Sequence, residues 1–402
     1  MDRRYGIARL SRSALCAVIL AAYSAACRDS SAPGSPTLRL VSTATRTAFA
    51  NTGLADPVVV EVRNAKGLVI PNHPVSFAIH EGDGSLSGYD GALISDANGL
   101  VTAPAWRLGK RAIPQTLRAS TSGVDLDISA TVQTDYSIDV RFRTPLSETD
   151  KAVFRAAAGR VMGVVTGDLP NMPAFNLPMD HCGGTTFDEP VDDLVIFVSV
   201  SYIDGIGGTV GRGGPCWVRD QGNLPFVAVL TIDADDWASL VAEDQAEPLI
   251  VHEILHGVGF GSIWPLTDLV SDTGTTDPRY QGTDGKLGCL AVAGVAACDA
   301  GVPVEGKPAG LGARDAHWRE SVFATEVMTG YGPFVAFSVV TVRSLADLGY
   351  TVNVEDADPF SLASIRLLTD GQPRVATEWR CADWPEIRKV DLKRNITRIR
   401  VP

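Results

Sequence analysis

Two histidines four residues apart, with a glutamate behind the first, set the strongest constraint on this chain: His252-Glu253-Ile254-Leu255-His256. The spacing has chemical meaning only on a helix, where residues i and i+4 share a face and both imidazoles reach one cation. Glu253 then points about 100° round the axis. There it can touch a metal-bound water without being placed as a ligand. The neighbours favour that helix, because Pro248 suits a first helical position and Leu249, Ile250, Ile254 and Leu255 form an apolar stripe. The chain has only six His in 402 residues, so chance would give the pattern in roughly fewer than 1 in 100 such sequences. The motif points to a zinc hydrolase.

A catalytic zinc takes three protein ligands and a water. Gly259 stands where a glycine breaks the helix in the elongated pattern H-E-x-x-H-x-x-G-x-x-H, but three residues on comes Ser262, a poor ligand. The third ligand must therefore come from farther away. His317 is the remaining downstream histidine, in Ala316-His317-Trp318-Arg319-Glu320, and Met328 follows eleven residues later in Glu326-Val327-Met328-Thr329-Gly330-Tyr331. A carboxylate such as Glu320 or Glu326 is the alternative third ligand, which would make the site gluzincin-like.

These segments resemble the leishmanolysin-like zinc metallopeptidases in their bacterial form, a metzincin family with a long insertion before its third histidine. The likeness covers roughly residues 135–354. It rests on His317-Trp318-Arg319-Glu320, Glu326 to Gly330, Ser338-Val339-Val340-Thr341 and Asp347-Leu348-Gly349-Tyr350, in order after the metal motif. Asp192 to Ile196, Tyr202 to Gly205, Gly214-Pro215-Cys216 and Gly259 to Trp264 look similar as well. Val327 and Phe337 stand where the family has leucine, apolar for apolar. The resemblance implies that His252, His256 and His317 bind one catalytic Zn²⁺, that Glu253 is the general base, and that Met328 floors the site. It also implies protein or peptide substrates. Tyr331 is a candidate oxyanion helper, with a packed aromatic as the plainer reading.

The rest of the chain suits an enzyme outside the cytoplasm. Arg3, Arg4, Arg9 and Arg12 precede an apolar run from Ala14 to Ala22, as in a secretion signal, and the run is too short to span a bilayer comfortably. It ends at Ser24-Ala25-Ala26-Cys27, similar to a bacterial lipoprotein processing site, so residues 1–27 read as a signal and 28–36 as a tether. Lipid anchoring at Cys27 is the expected membrane link, and full secretion is the alternative. Removing residues 1–26, with four arginines and one aspartate, takes the net charge from −12 to −15. That charge argues against nucleic acid as a partner. Of the remaining cysteines, Cys182 with Cys216 and Cys289 with Cys298 are candidate disulfides. Cys381 is left over unless it bonds an unlipidated Cys27. A Cys-zinc site using His181 is the weaker competitor, since no C-x-x-C pair exists.

The expected fold is multidomain: an all-β Ig-like sandwich, then an α+β metzincin-type peptidase domain. Residues 37–133 alternate as short strands around turns such as Asn64-Ala65-Lys66-Gly67 and Asp96-Ala97-Asn98-Gly99, and they resemble bacterial Ig-like domains of invasin type. This module reads as a spacer, and His73 and His80 in it as ordinary histidines. Residues 134–354 mix strands at 136–142, 194–200 and 226–232 with a helix opened by the capping box Ser147-Glu148-Thr149-Asp150. Pro225 suits the start of an edge strand, and the strand before the metal helix is expected along the cleft, open to an extended peptide. Asp233-Ala234-Asp235-Asp236 reads as a solvated cap. Residues 262–316 read as an irregular insertion, where Asp268, Asp272 or Asp277 are weak candidates for calcium. Residues 355–402 form a tail ending in a basic stretch that suits a small β element. Oligomeric state is not legible. A surface adhesion protein with an inactive peptidase fold is the rival reading from another class, against which the intact His252, Glu253, His256 and His317 argue.

Overall fold

The computed structural model describes residues 35–42, 45–310, 312–362, 380–381, 386–391 and 393–400. The signal, most of the tether and Cys27 lie outside the described residues. Among those described, residues 37–133 form strands that assemble into two main sheets. One holds Val59–Arg63 between Thr37–Leu40 and Leu100–Thr102. The other runs Thr47–Phe49, Val124–Gln133, Pro114–Thr121, Pro74–Glu81 and Leu93–Ile94. Alternation buries Val75 and Phe77 from one strand and Ile128, Ala130 and Val132 from another, two places along the same sheet. They pack with Val60, Val62, Trp106 and Leu117 in a core of their own. The expected turns form as their chemistry requires. Asn64 Oδ1 accepts from the Lys66 and Leu68 N–H groups, and Gly67 takes a φ of 78°.

The following residues build a mixed sheet with helices. We label β1 Ile138–Phe142, α1 Glu148–Val164, β2 Leu194–Ser201, β3 Thr209–Arg219, β4 Pro225–Asp233, α2 Ala246–Gly257, α3 Thr283–Ala293 and α4 Val339–Leu348. C-terminal to these lie β5 Arg380–Cys381, β6 Glu386–Val390 and β7 Ile396–Arg400. The sheet runs β1-β2-β4-β3-β6-β7, with β5 also on β3. Strands β1, β2 and β4 are parallel, whereas β3 is antiparallel to β4. Helix α1 starts where the sequence says: Ser147 Oγ accepts from Asp150 N–H, and Phe154, Ala157, Val161 and Val164 face the core. Helix α2 begins two residues before Pro248, which sits third in the helix, where a backbone N–H still has no intrahelical partner.

Four expectations fail for identifiable reasons. Strand β4 is interior, paired by β2 and β3, so it offers no edge to a peptide; Pro225 is accommodated at a strand start opposite Val218. Asp233 is not solvated. It is fully buried, with Oδ2 accepting from the Ile203, Asp204 and Gly205 N–H groups and Oδ1 from Asp235. The insertion is not irregular throughout: α3 packs on α4, with Asp347 capping the start of α3 through the Asp284 and Gly285 N–H groups. The calcium candidates do not gather. Asp277 is engaged by Arg279 and Arg319, and no metal-competent group among the described residues includes it, Asp268 or Asp272.

The sandwich is also more than a detached spacer, because its loop 110–113 docks on the following region. Ala112 N–H donates to the Gly159 carbonyl of α1 at 2.8 Å. Arg111 bridges Asp83 and Glu247, the latter in the first turn of α2. Lys110 Nζ reaches the Asp356 and Ala357 carbonyls and Asp358. Two glycines four apart in α1 make room. A Cβ at Gly163 would lie 2.0 Å from the Lys110 carbonyl oxygen, and one at Gly159 2.8 Å from Ile113. In an undocked helix Gly163→Ala would stabilise by about 1 kcal/mol. Here the clash is expected to win, so thermal denaturation of the full chain should show Gly163→Ala melting lower than the parent; an equal or higher midpoint would mean the loop does not dock.

Among the described residues no helix is long and apolar enough to cross a membrane. Cys182–Cys216 and Cys289–Cys298 are bonded, as an oxidising compartment permits. The first bond consumes the thiols that a His181 metal site would need.

Candidate metal centre

Helix α2 presents His252 and His256 on one face, and the chain then has to return His317 to them. Gly259 ends the helix at a φ of 111°, and Gly261 follows at 71°. A Cβ on Gly261 would lie 2.2 Å from the Ala316 carbonyl oxygen, so this glycine lets the residue beside His317 close in. Its role was not visible in the motif pattern. The Nε2 atoms converge, with His256 at 3.0 Å from His252 and 2.9 Å from His317, and His317 at 3.2 Å from His252.

The other ring nitrogens explain the orientation. Each Nδ1 lies against a backbone carbonyl: His252 on Val327 at 2.5 Å, His256 on Phe260 at 2.9 Å and His317 on Ala313 at 3.0 Å. A carbonyl only accepts, so each Nδ1 carries the proton and each Nε2 presents a bare lone pair. Three lone pairs facing one another across these distances repel unless a cation sits between them. Tetrahedral Zn–N bonds of 2.0–2.1 Å imply N···N separations of about 3.3 Å, close to those observed. Burial, with the neighbouring imidazoles, holds His252 well below the usual histidine range, and burial does the same for His317. Neutral imidazoles are the ligand form. The donor set therefore fits a metal ion, and these three residues form a group that could hold one.

Glu253 lies on the adjoining face of α2, against β3. A Cβ on Gly211 would sit 2.6 Å from Glu253 Oε1, and one on Gly213 would sit 2.4 Å from the Glu253 carbonyl oxygen. The two glycines let the strand lie flush on the carboxylate. Gly211→Ala is expected to push Glu253 aside and cut turnover by about 10²-fold, the cost of an ångström-scale misplacement, with metal retained. Metal analysis beside an activity assay checks this, and full activity would show that β3 does not fix the carboxylate.

The carboxylates weighed as third ligands are employed elsewhere. Glu326 is fully buried and accepts from Met328 N–H at 2.6 Å, Ser338 Oγ at 2.7 Å and Thr341 Oγ1 at 2.6 Å. Burial pushes its carboxyl up to about 7 against the pull of those bonds. Thr341 Oγ1 in turn accepts from Trp318 Nε1, and Trp318 N–H donates to the Met328 carbonyl. Glu326 thus ties the turn at Met328 to α4 and to the residue beside His317. Glu320 opens a short helix with its N–H on Glu305, outside the imidazole group. Tyr350 Oη donates to the Val258 carbonyl just past α2. Tyr331 is half-buried beside the turn.

The centre is enclosed. His252, Glu253, His256, His317 and Met328 are all 0% exposed. Phe334 stacks on His252 with centroids 4.7 Å apart, its N–H on Gln245 Oε1 ahead of α2. A cavity of about 480 Å³ opens instead between the sandwich loop and the flank of α2, lined by Arg111, Val251, Val327, Val335 and Phe337 among others, and by none of the imidazoles. The convergent nitrogens carry more weight for the chemistry than this cavity does. In the sandwich, His73 and His80 are satisfied by Thr121 and Arg118.

No family model matches this chain, and no curated protein matches it. Among solved structures, the D00-D0 domain of intimin is 19% identical over 23% of this chain and 43% of its own, with a TM-score of 0.18. Domains 4 and 5 of the S-layer protein SbsC are 11% identical over 24% of this chain and 53% of theirs, at 0.19. A carbohydrate acetylesterase from Xanthomonas citri, XAC1771, is 17% identical over 30% of this chain and 25% of its own, at 0.16. The chain spans about half or less of each, and likenesses this slight carry no argument about activity.

Proposed function

We propose that this protein is a zinc-dependent endopeptidase of the leishmanolysin-like metzincin kind, its peptidase region preceded by an invasin-type Ig-like module. One observation carries the reading: three Nδ1-protonated imidazoles aim bare Nε2 atoms at one point, with a glutamate at the adjoining helix position. Zinc held there would act as a Lewis acid and bring a bound water's pKa toward about 7. His252, His256 and His317 would hold it, oriented by the Val327, Phe260 and Ala313 carbonyls. Glu253, kept in place by the glycines of β3, would take a proton at its carboxylate and return it to the leaving amine. Burial raises the value of every such interaction by excluding water. Tyr331 is the proposed helper for the oxyanion. Substrates would be proteins or peptides, and the disulfides fit an extracytoplasmic or cell-surface setting. Zinc content measured with casein-type digestion, with and without chelator, tests the reading. A protein that binds zinc but leaves peptides intact would favour the adhesion alternative.

A further inference from the structure

An endopeptidase must admit a polypeptide, yet every residue of this centre is 0% exposed. The C-terminal strands offer a cause. Strand β3 forms the wall of the site, since Gly211 and Gly213 abut Glu253. One edge of β3 is taken by β4. The other would be open, and a strand edge beside a catalytic group is where an extended chain pairs through its backbone. That edge is taken as well. Strand β5 pairs with Thr209 and Gly211, next to the carboxylate, and β6 pairs with Trp217, Val218 and Arg219.

The attachment of β6 and β7 is built in. Ile387 is fully buried and Val390 nearly so. Arg388, 2% exposed, holds Asp180 through Nη1 at 2.7 Å and Nη2 at 3.0 Å. The basic tail residues thus contribute an apolar face and a bidentate ion pair, and β7 pairs on β6. Before these strands, the chain passes Leu362, which packs against the same core as the metal helix.

We propose that the C-terminal strands mask this site: β5–β7 occupy the edge of β3 that an extended substrate would need, and the enzyme gains access only when they are displaced or cut away. The inference rests on the peptidase reading for its purpose but not for its geometry, and the test separates the two. The full chain is compared with two altered full chains. One carries a specific-protease site inserted between residues 363 and 379 and is cut there. The other carries Ile387→Asp with Arg388→Glu, which removes the apolar anchor and the Asp180 pair. In metal-free protein, acylation of His252, His256 and His317 by diethyl pyrocarbonate, read by mass spectrometry, reports access without requiring activity. Masking predicts modification at least about tenfold faster in the cut or loosened chains, since reagent enters through the opened population. It also predicts faster casein digestion by the zinc-loaded forms. An unchanged modification rate in the cut chain, with the loosened variant either unchanged or unfolded, would overturn the proposal. Faster modification without any digestion would leave masking in place and count against the peptidase reading.

Discussion

Glu253→Ala is expected to keep about one zinc per chain and lose peptide hydrolysis by about 10²–10⁴-fold, the usual worth of a positioned general base. The separation of effects comes from the helix. Glu253 follows His252 by one residue, so its side chain leaves α2 about 100° away from the imidazole face, and it presses against Gly211 and Gly213 rather than joining the three nitrogens. Nothing in the nitrogen geometry changes when the carboxylate goes. Metal analysis and a casein assay on the same preparation check both halves. Loss of zinc along with activity would make Glu253 a ligand, and retained activity would remove it from the chemistry.

His317→Ala is expected to have the complementary effect, a drop in zinc affinity greater than about 100-fold, the upper end seen when only an outer-shell partner is lost. His317 lies 61 residues beyond His256 in sequence, yet their Nε2 atoms are 2.9 Å apart. Two imidazoles alone leave the cation with too few ligands for a catalytic tetrahedral site. Glu320→Ala and Glu326→Ala should both keep the metal, which separates a three-histidine site from the gluzincin alternative. Glu326→Ala should instead cost stability, at least about 2–3 kcal/mol, because the Met328 N–H, Ser338 Oγ and Thr341 Oγ1 lose a buried acceptor. Titration with a zinc indicator and denaturant melts read the two effects apart.

The parts legible in the sequence are those governed by local periodicity. Spacing alone placed His252, Glu253 and His256 on α2, and Ser147 with Asp150 marked the start of α1. Alternation gave the strands at Val59–Arg63 and Pro74–Glu81, and an apolar run gave the buried strand at Leu194–Ser201. Backbone proximity was not legible, because a glycine in a sequence does not say what will approach it. Strand β3 carries Gly211, Gly213, Gly214 and Pro215, residues that argue against a strand by propensity. Those glycines are what allow β3 to lie on Glu253. Gly159 and Gly163 likewise read as weak points in a helix, but they admit the sandwich loop. Asp233 looked solvated because it stands in an acidic run; the loop that wraps it, residues 203–205, follows the end of the neighbouring strand β2, whose Ser201 pairs with Asp233. The role of Glu326 required knowing that Ser338 and Thr341 fold back onto the turn. The tail does form the small β element its sequence suits, β6 with β7, but long-range pairing hid its partner: β6 meets β3 across about 170 residues of chain, a contact that no local pattern encodes.

The most direct test of the whole account is zinc titration of metal-free full-length protein, with hydrolysis of an unstructured protein followed at each point and chelator added at the end. The account predicts saturation at one zinc per chain, hydrolysis that rises with zinc occupancy, and its abolition by chelator. A chain that binds no zinc at His252, His256 and His317, or hydrolysis indifferent to chelator, would contradict it.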